Sequence, residues 1–305
     1  MDVRQLTTST EPVWLDFDGL KVPVHYKPGS TQTLVVLFHG ALGRDRRPFP
    51  FFQPHFPNAF GAHQLSVCDL SLTKSPELKA GWFLGAEDIP LQTALPRLFR
   101  EVCAQLGITR TIYFGASAGG LAALRYSHAH PGSLALVANP QINLLNYLPS
   151  PVDQYREACW PGVADQAELA RRVCINVADL YAASVPNHVC LLNAAGDRFH
   201  IYQQTLELAN RLPAESRNRV VLHSDYYGIR GHSGSIPHAA CVPWLKATVH
   251  APNWYADAIL MKYDQFRRPS APAAPVKQAS PEPSMSAEDL RVADAIAAWQ
   301  LRAQS

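Results

Sequence analysis

An α/β fold is expected for this chain: a mostly parallel, doubly wound sheet with helices on both faces and a helical insertion. Three features point to it. Short apolar runs of strand length recur along the chain, TLVVLF at Thr33–Phe38 being the clearest. Stretches with apolar residues at helical spacing separate them, as a parallel sheet requires. The run at 111–114 enters the glycine-rich GASAGG at 115–120, and an amphipathic stretch leaves it.

From the N-terminus, Val13–Phe17 and residues 20–26 alternate apolar and polar positions, with Asp18 and Gly19 between them, which reads as a hairpin. Thr33–Phe38 is a buried strand and 65–68 another. Asp88 is placed to cap a helix running through Leu106, with Ile89, Leu91, Leu95, Leu98, Phe99 and Val102 on its apolar face and Gly107 as its stop. Residues 111–114 form a strand, 118–130 a helix closed by Pro131 and Gly132, and Leu134–Ala138, 189–193 and 220–223 further strands.

Two regions depart from this rhythm. Residues 140–186 lack a strand pattern and hold helix-like pieces at 152–159 and 164–179, which predicts a cap inserted after one strand. Residues 268–285 are rich in Pro, Ala and Ser and read as a disordered linker. Ser286 and Asp289 then have capping-box spacing and open a partly apolar helix over 286–305, suited to dock on its own body, residues 1–267, or on a partner.

Composition narrows the function classes. The chain has 305 residues, of which 47% are hydrophobic and 17% charged, with a net charge of +2. That balance predicts a globular protein with no nucleic-acid partner. The N-terminus lacks an apolar signal segment and no run is long enough to span a membrane, so the expected location is cytoplasmic. Cys68, Cys103, Cys159, Cys174, Cys190 and Cys241 are scattered, which reads as buried thiols. No His, Asp and Glu set has ligand spacing, so neither a metal nor another cofactor is expected.

The chemistry-bearing signal is Gly115-Ala116-Ser117-Ala118-Gly119, a G-x-S-x-G stretch between a strand and a helix. A sharp strand-to-helix turn lifts the serine oxygen above the sheet, and flanking glycines keep side chains out of the crowded turn. The backbone N–H of Ala118, at a helix N-terminus, can stabilise an oxyanion. A serine needs a histidine to take its proton and a carboxylate to orient that histidine. Asp197 follows the strand at 189–193, and His232 lies in a glycine-rich loop after the strand at 220–223. The order Ser117, Asp197, His232 and this strand-turn-helix context resemble the α/β-hydrolase superfamily.

That resemblance implies a nucleophile at Ser117, an acid at Asp197 and a base at His232. It also implies that FHGALG at 38–43 is the oxyanion loop, with the N–H of Ala41 as second donor and Leu42 as the alternative; His39 is read as structural. Competing readings stand beside these. Ser117 can be a turn serine, His232 a surface histidine, and Asp197 a helix N-cap, in which case Asp225 is the reserve acid. His128, His130, His188, His200 and His223 are read as structural, and His238 belongs to the last helix of the body.

Phe51, Phe52 and Trp82, on two aromatic-rich loops, are candidates for a substrate wall, or else pack those loops onto the body. Asn139 and Gln141 start the cap region and are candidates to face the substrate. Arg44, Arg46 and Arg47 are placed to attract an anion, or are a solvated charge run. The combination of HGA, GWFLG, GASAGG and NPQ also resembles uncharacterised bacterial hydrolase-like proteins, some associated with cell-surface glycan loci. The resemblance to the fold covers roughly residues 13–250. The expected activity is hydrolysis of a small or medium-sized acyl ester. The alternatives are acyl transfer to a sugar or other hydroxyl, and a catalytically idle binding protein.

Overall fold

Eight strands form one sheet in the order β1-β2-β4-β3-β5-β6-β7-β8. They are β1 (Val13–Phe17), β2 (Leu20–Lys27), β3 (Thr33–Phe38), β4 (His63–Val67), β5 (Arg110–Ala116), β6 (Leu134–Ala138), β7 (His188–Ala194) and β8 (Val220–Asp225). A computed structural model describes residues 3–43, 49–228 and 236–267. β1 and β2 pair antiparallel, as do β2 and β4, while every pairing from β4 through β8 is parallel. The hairpin turns on Asp18 and Gly19, both at positive φ, the backbone that a tight hairpin needs.

Alternation along the strands builds two cores. Val36 and Phe38 of β3, Tyr113 of β5, Val137 of β6 and Leu191 of β7 face one cluster. Their neighbours Val35, Leu37, Ile112, Phe114, Leu136 and Leu192 face the other. Successive strand side chains point to opposite faces, so strands apolar at every position must be covered on both sides.

The helices are α1 (Arg4–Thr8), α2 (Leu91–Leu106), α3 (Ala118–His128), α4 (Pro149–Cys159), α5 (Gln166–Arg172), α6 (Val177–Ala183), α7 (Arg198–His200), α8 (Leu206–Arg211), α9 (His238–His250) and α10 (Ala256–Arg267). Residues of α2 to α6 bury themselves in the first core, and Trp244, Leu245 and Ile259 of α9 and α10 in the second. Residues Met1–Arg267 form one unit. The linker expected at 268–285 and the helix expected at 286–305 lie outside the described residues.

Several boundaries differ from the sequence expectation. Asp88 does not cap the second helix. Residues 86–89 close a tight bridge, the helix starts at Leu91 behind Pro90, and Asp88 instead pairs with Lys74 at 2.5 Å. The helix expected over 164–179 is two. Asp165 caps α5, and Asn176 caps α6 by accepting from Ala178 N at 3.0 Å after pairing with Asn143 in an isolated bridge. An Asn side chain that satisfies the next turn's amide competes with helix continuation, which explains the break. α9 is followed by α10, a helix not expected from the sequence. All six cysteines are unpaired, and all but Cys174 are buried.

Candidate active site

The strand-to-helix turn at Ser117 is built by close packing. α3 follows β5 with one residue between them, Ser117, at φ 52 and ψ −118. A Cβ on Gly115 would lie 2.0 Å from Gly119 O, and one on Gly119 would lie 2.4 Å from Phe38 O. Any larger residue there would drive the helix away from β3 and β5. A non-glycine residue at positive φ costs on the order of 1–3 kcal/mol, so the turn is maintained by its surroundings. Ser117 N donates to Ala138 O at 3.0 Å, and Gly120 N and Gln141 N donate to Ser117 O at 2.9 and 3.0 Å.

The side chain of Ser117 meets Gln141, whose Nε2 lies 3.2 Å from Ser117 Oγ. Gln141 Oε1 in turn accepts from the indole N–H of Trp82. Both Gln141 and Trp82 are 1% exposed. Trp82 and Phe83 are themselves at positive φ, 52 and 57. Their loop is tied to Asp69, a fully buried carboxylate just after β4. Asp69 accepts from Ser71 N at 3.0 Å and from Phe83 N at 2.9 Å. Tyr126 and Tyr155 add hydrogen bonds to the carbonyls of Phe83 and Gly85.

Asp197 lies on the turn after β7 and is 1% exposed. It does act as a helix N-cap, accepting from His200 N at 3.2 Å. Its carboxylate also contacts His200 Nδ1, at 3.1 Å from Oδ1 and 3.0 Å from Oδ2, and accepts from Asn139 Nδ2 at 3.2 Å. Asn139 Oδ1 accepts from Ala194 N at 2.7 Å. Asn139, expected near substrate, is thus buried with its amide clasped between Asp197 and the end of β7. Asp225, the reserve acid, ends β8 in an exposed position and accepts from its neighbour Tyr226 N at 2.8 Å. His232 lies outside the described residues, as do Arg44, Arg46 and Arg47.

The loop expected to hold the oxyanion donors, residues 38–43, follows β3. Among the described residues, the amides of Ala41 and Ala118 have no acceptor, while Leu42 N donates to Lys79 O at 2.7 Å. The alternative donor is therefore already engaged. Gly40 brings this loop against the turn at Ser117: a Cβ on it would lie 3.3 Å from Ala116 O and 4.0 Å from Ser117 Cβ. His39 Nδ1 donates to Gly40 O at 2.8 Å, and its ring packs on Phe83 with centroids 4.9 Å apart. Burial pushes the His39 imidazole below the ordinary histidine range, against the opposing pull of the Asp69 charge and the Gly40 carbonyl.

Phe51 packs against Phe49, and its N–H donates to Cys68 Sγ at 3.3 Å. Phe52 meets His25 of β2 edge-on at 5.9 Å. Sequence reasoning missed Asp69 and the Trp82–Gln141–Ser117 chain, since neither follows a local pattern. The Asp197–His200 contact had a signal in its i,i+3 spacing on a helical turn. Among the described residues, no group of His, Cys, Asp and Glu is arranged to hold a metal ion, and no helix is long and apolar enough to cross a membrane.

No family model matches the sequence, and no curated protein matches it. Solved structures do resemble it. A 2,6-dihydroxy-pseudo-oxynicotine hydrolase matches with a TM-score of 0.51 at 15% identity, over 87% of this chain and 70% of that one. The capsule O-acetyltransferase of Neisseria meningitidis serogroup A matches with a TM-score of 0.49 at 14% identity, over 83% and 94%. A hormone-sensitive lipase from a metagenome library matches with a TM-score of 0.48 at 12% identity, over 85% and 84%. The parallel sheet entered by an antiparallel hairpin, the strand order and the first of these likenesses show that the chain has the α/β-hydrolase fold. At such identities the likeness is one of fold, and the chemistry must be argued from the site.

Proposed function

We propose that the protein is a serine hydrolase that cleaves an acyl ester of small or medium size through an acyl-enzyme on Ser117. The observation that carries this reading is the Ser117 backbone, held at φ 52 between β5 and α3. A structural serine has no need of that strain, whereas a nucleophile gains an oxygen raised above the sheet edge.

In this reading Ser117 Oγ attacks the ester carbonyl carbon while its proton passes to the His232 imidazole. The carbonyl oxygen takes up negative charge and accepts from the amides of Ala41 and Ala118. Collapse of the tetrahedral intermediate breaks the bond to the alcohol, which leaves with the proton from His232. Water then attacks the acyl-enzyme, gives its proton to His232, and Ser117 departs as that proton returns. Asp197 is assigned as the acid that orients His232. Its burial supports this over the exposed Asp225, and the two groups that clasp it, Asn139 and His200, support a fixed carboxylate. Trp82 is assigned to the wall of the site, Phe51 and Phe52 to packing.

A fluorophosphonate probe on the native full-length protein, followed by mass spectrometry, tests the reading. Labelling is expected on Ser117, absent in Ser117→Ala and severely slowed in His232→Ala, because a triad works as a unit. Folded protein that takes no label at Ser117 would sink the proposal in favour of a binding role. Product analysis with and without hydroxyl acceptors then shows whether water or another alcohol attacks the acyl-enzyme.

A further inference from the structure

We infer that Gln141 is a catalytic residue whose side-chain amide assists the departure of Ser117 Oγ from the acyl-enzyme, with Trp82 as its positioning residue. This rests on the reading of Ser117 as nucleophile. An indole N–H can only donate, so the Gln141 atom facing Trp82 must be its carbonyl oxygen. The amide orientation is thereby fixed by chemistry, and the group 3.2 Å from Ser117 Oγ is the N–H donor. The backbone holds the same residue from the other side, since Gln141 N donates to Ser117 O at 3.0 Å. Trp82 is in turn held against Tyr155, ring centroids 5.6 Å apart. A buried amide locked at three points has lost its freedom to turn before any substrate arrives.

The consequence differs between the two halves of the reaction. In the free enzyme the serine hydroxyl oxygen is a good acceptor, so part of this hydrogen bond already exists in the ground state. In the acyl-enzyme the same atom is an ester oxygen and accepts poorly. When water has added and the C–Oγ bond breaks, the bonding pair moves onto Oγ and the hydrogen bond strengthens until His232 delivers its proton. Gln141 shares its hydrogen throughout and transfers none. Only interactions stronger in the transition state than in the ground state accelerate a step. The gain is therefore larger for deacylation than for acylation.

The test is stopped-flow kinetics of the full-length protein with para-nitrophenyl acetate, with intact-mass detection of the acetyl adduct. In Gln141→Leu, deacylation is expected to fall about tenfold or more while acylation falls by less than about threefold, so that acetylated Ser117 accumulates. Trp82→Phe keeps an aromatic ring at this position while removing the indole donor and some ring volume. It is expected to shift the same ratio in the same direction by a smaller factor, and it serves alone if the Gln141 variant does not fold. Equal slowing of both steps, or no change in either, would mean that Gln141 is structural and overturns the inference. A wild-type protein that never acetylates Ser117 would instead overturn the reading of Ser117 on which the inference rests.

Discussion

Two aromatic stretches flank β4 and are used differently. Residues 49–60 lie along the sheet and are held mainly by their backbone. Phe56 N and O bond to the side chain of Gln64 at 2.8 and 3.0 Å, and Gln53 O accepts from Ser66 Oγ at 2.8 Å. Their rings fill gaps against His25, Phe114 and His238. Residues 70–85 are instead folded around the buried carboxylate of Asp69, and carry Trp82 to the amide that touches Ser117. Both stretches bury aromatic surface. The difference lies in what the polar anchor does: Gln64 and Ser66 tie the first stretch to its neighbouring strand, whereas the Asp69 carboxylate draws together two backbone amides distant from each other in the chain and so folds the second into a loop.

Asp69 is where this contrast can be attacked hardest. Asp69→Ala leaves the Ser71 and Phe83 amides buried without acceptors, which should lower the unfolding free energy by about 3 kcal/mol. Urea denaturation checks that figure. Fluorophosphonate labelling of Ser117 should slow at the same time, and unchanged labelling would show that the loop does not position the site. Gln64→Ala is the matching change on the other stretch. It should cost about 2 kcal/mol, read by the same denaturation, and leave the labelling rate of the folded protein as it was.

A third test uses pH. Burial lowers the proton affinity of His39, beside the second stretch, and of His55, on the first. Both are neutral in the fold at a pH where the unfolded chain already binds a proton. Their contribution to stability is complete above the unfolded value of about 6.5 and is lost as pH falls from there toward their folded values. Urea midpoints should therefore decline below about pH 6.5, and His55→Phe should flatten part of that decline. A decline that is just as steep in the variant would remove His55 from the account. Phe52→Ala is the mildest of these changes. Phe52 is half-buried at the sheet face, so the loss should stay below about 1 kcal/mol, with no change in labelling.

Much of this organisation is written in local pattern. The limits of β1 and β3 follow from their apolar runs, and the strand-to-helix turn from glycines that flank one serine. These depend on neighbours within a few positions, where periodicity and turn chemistry act. Asp88 misled because acidic residues before an apolar helix usually cap it, whereas here Pro90 opens the helix after a separate turn.

The order of strands and helices, and the placing of Ser117 and Asp197 after strand ends, could therefore be read along the chain. Which polar groups meet could not. Trp82 and Gln141 are 59 residues apart, and Asn139 and Asp197 are 58 apart. A buried donor must find an acceptor, but the chain's periodicity does not say which one. That choice is made when the sheet brings β4, β5, β6 and β7 to a common edge, and desolvation then makes each unpaired group costly.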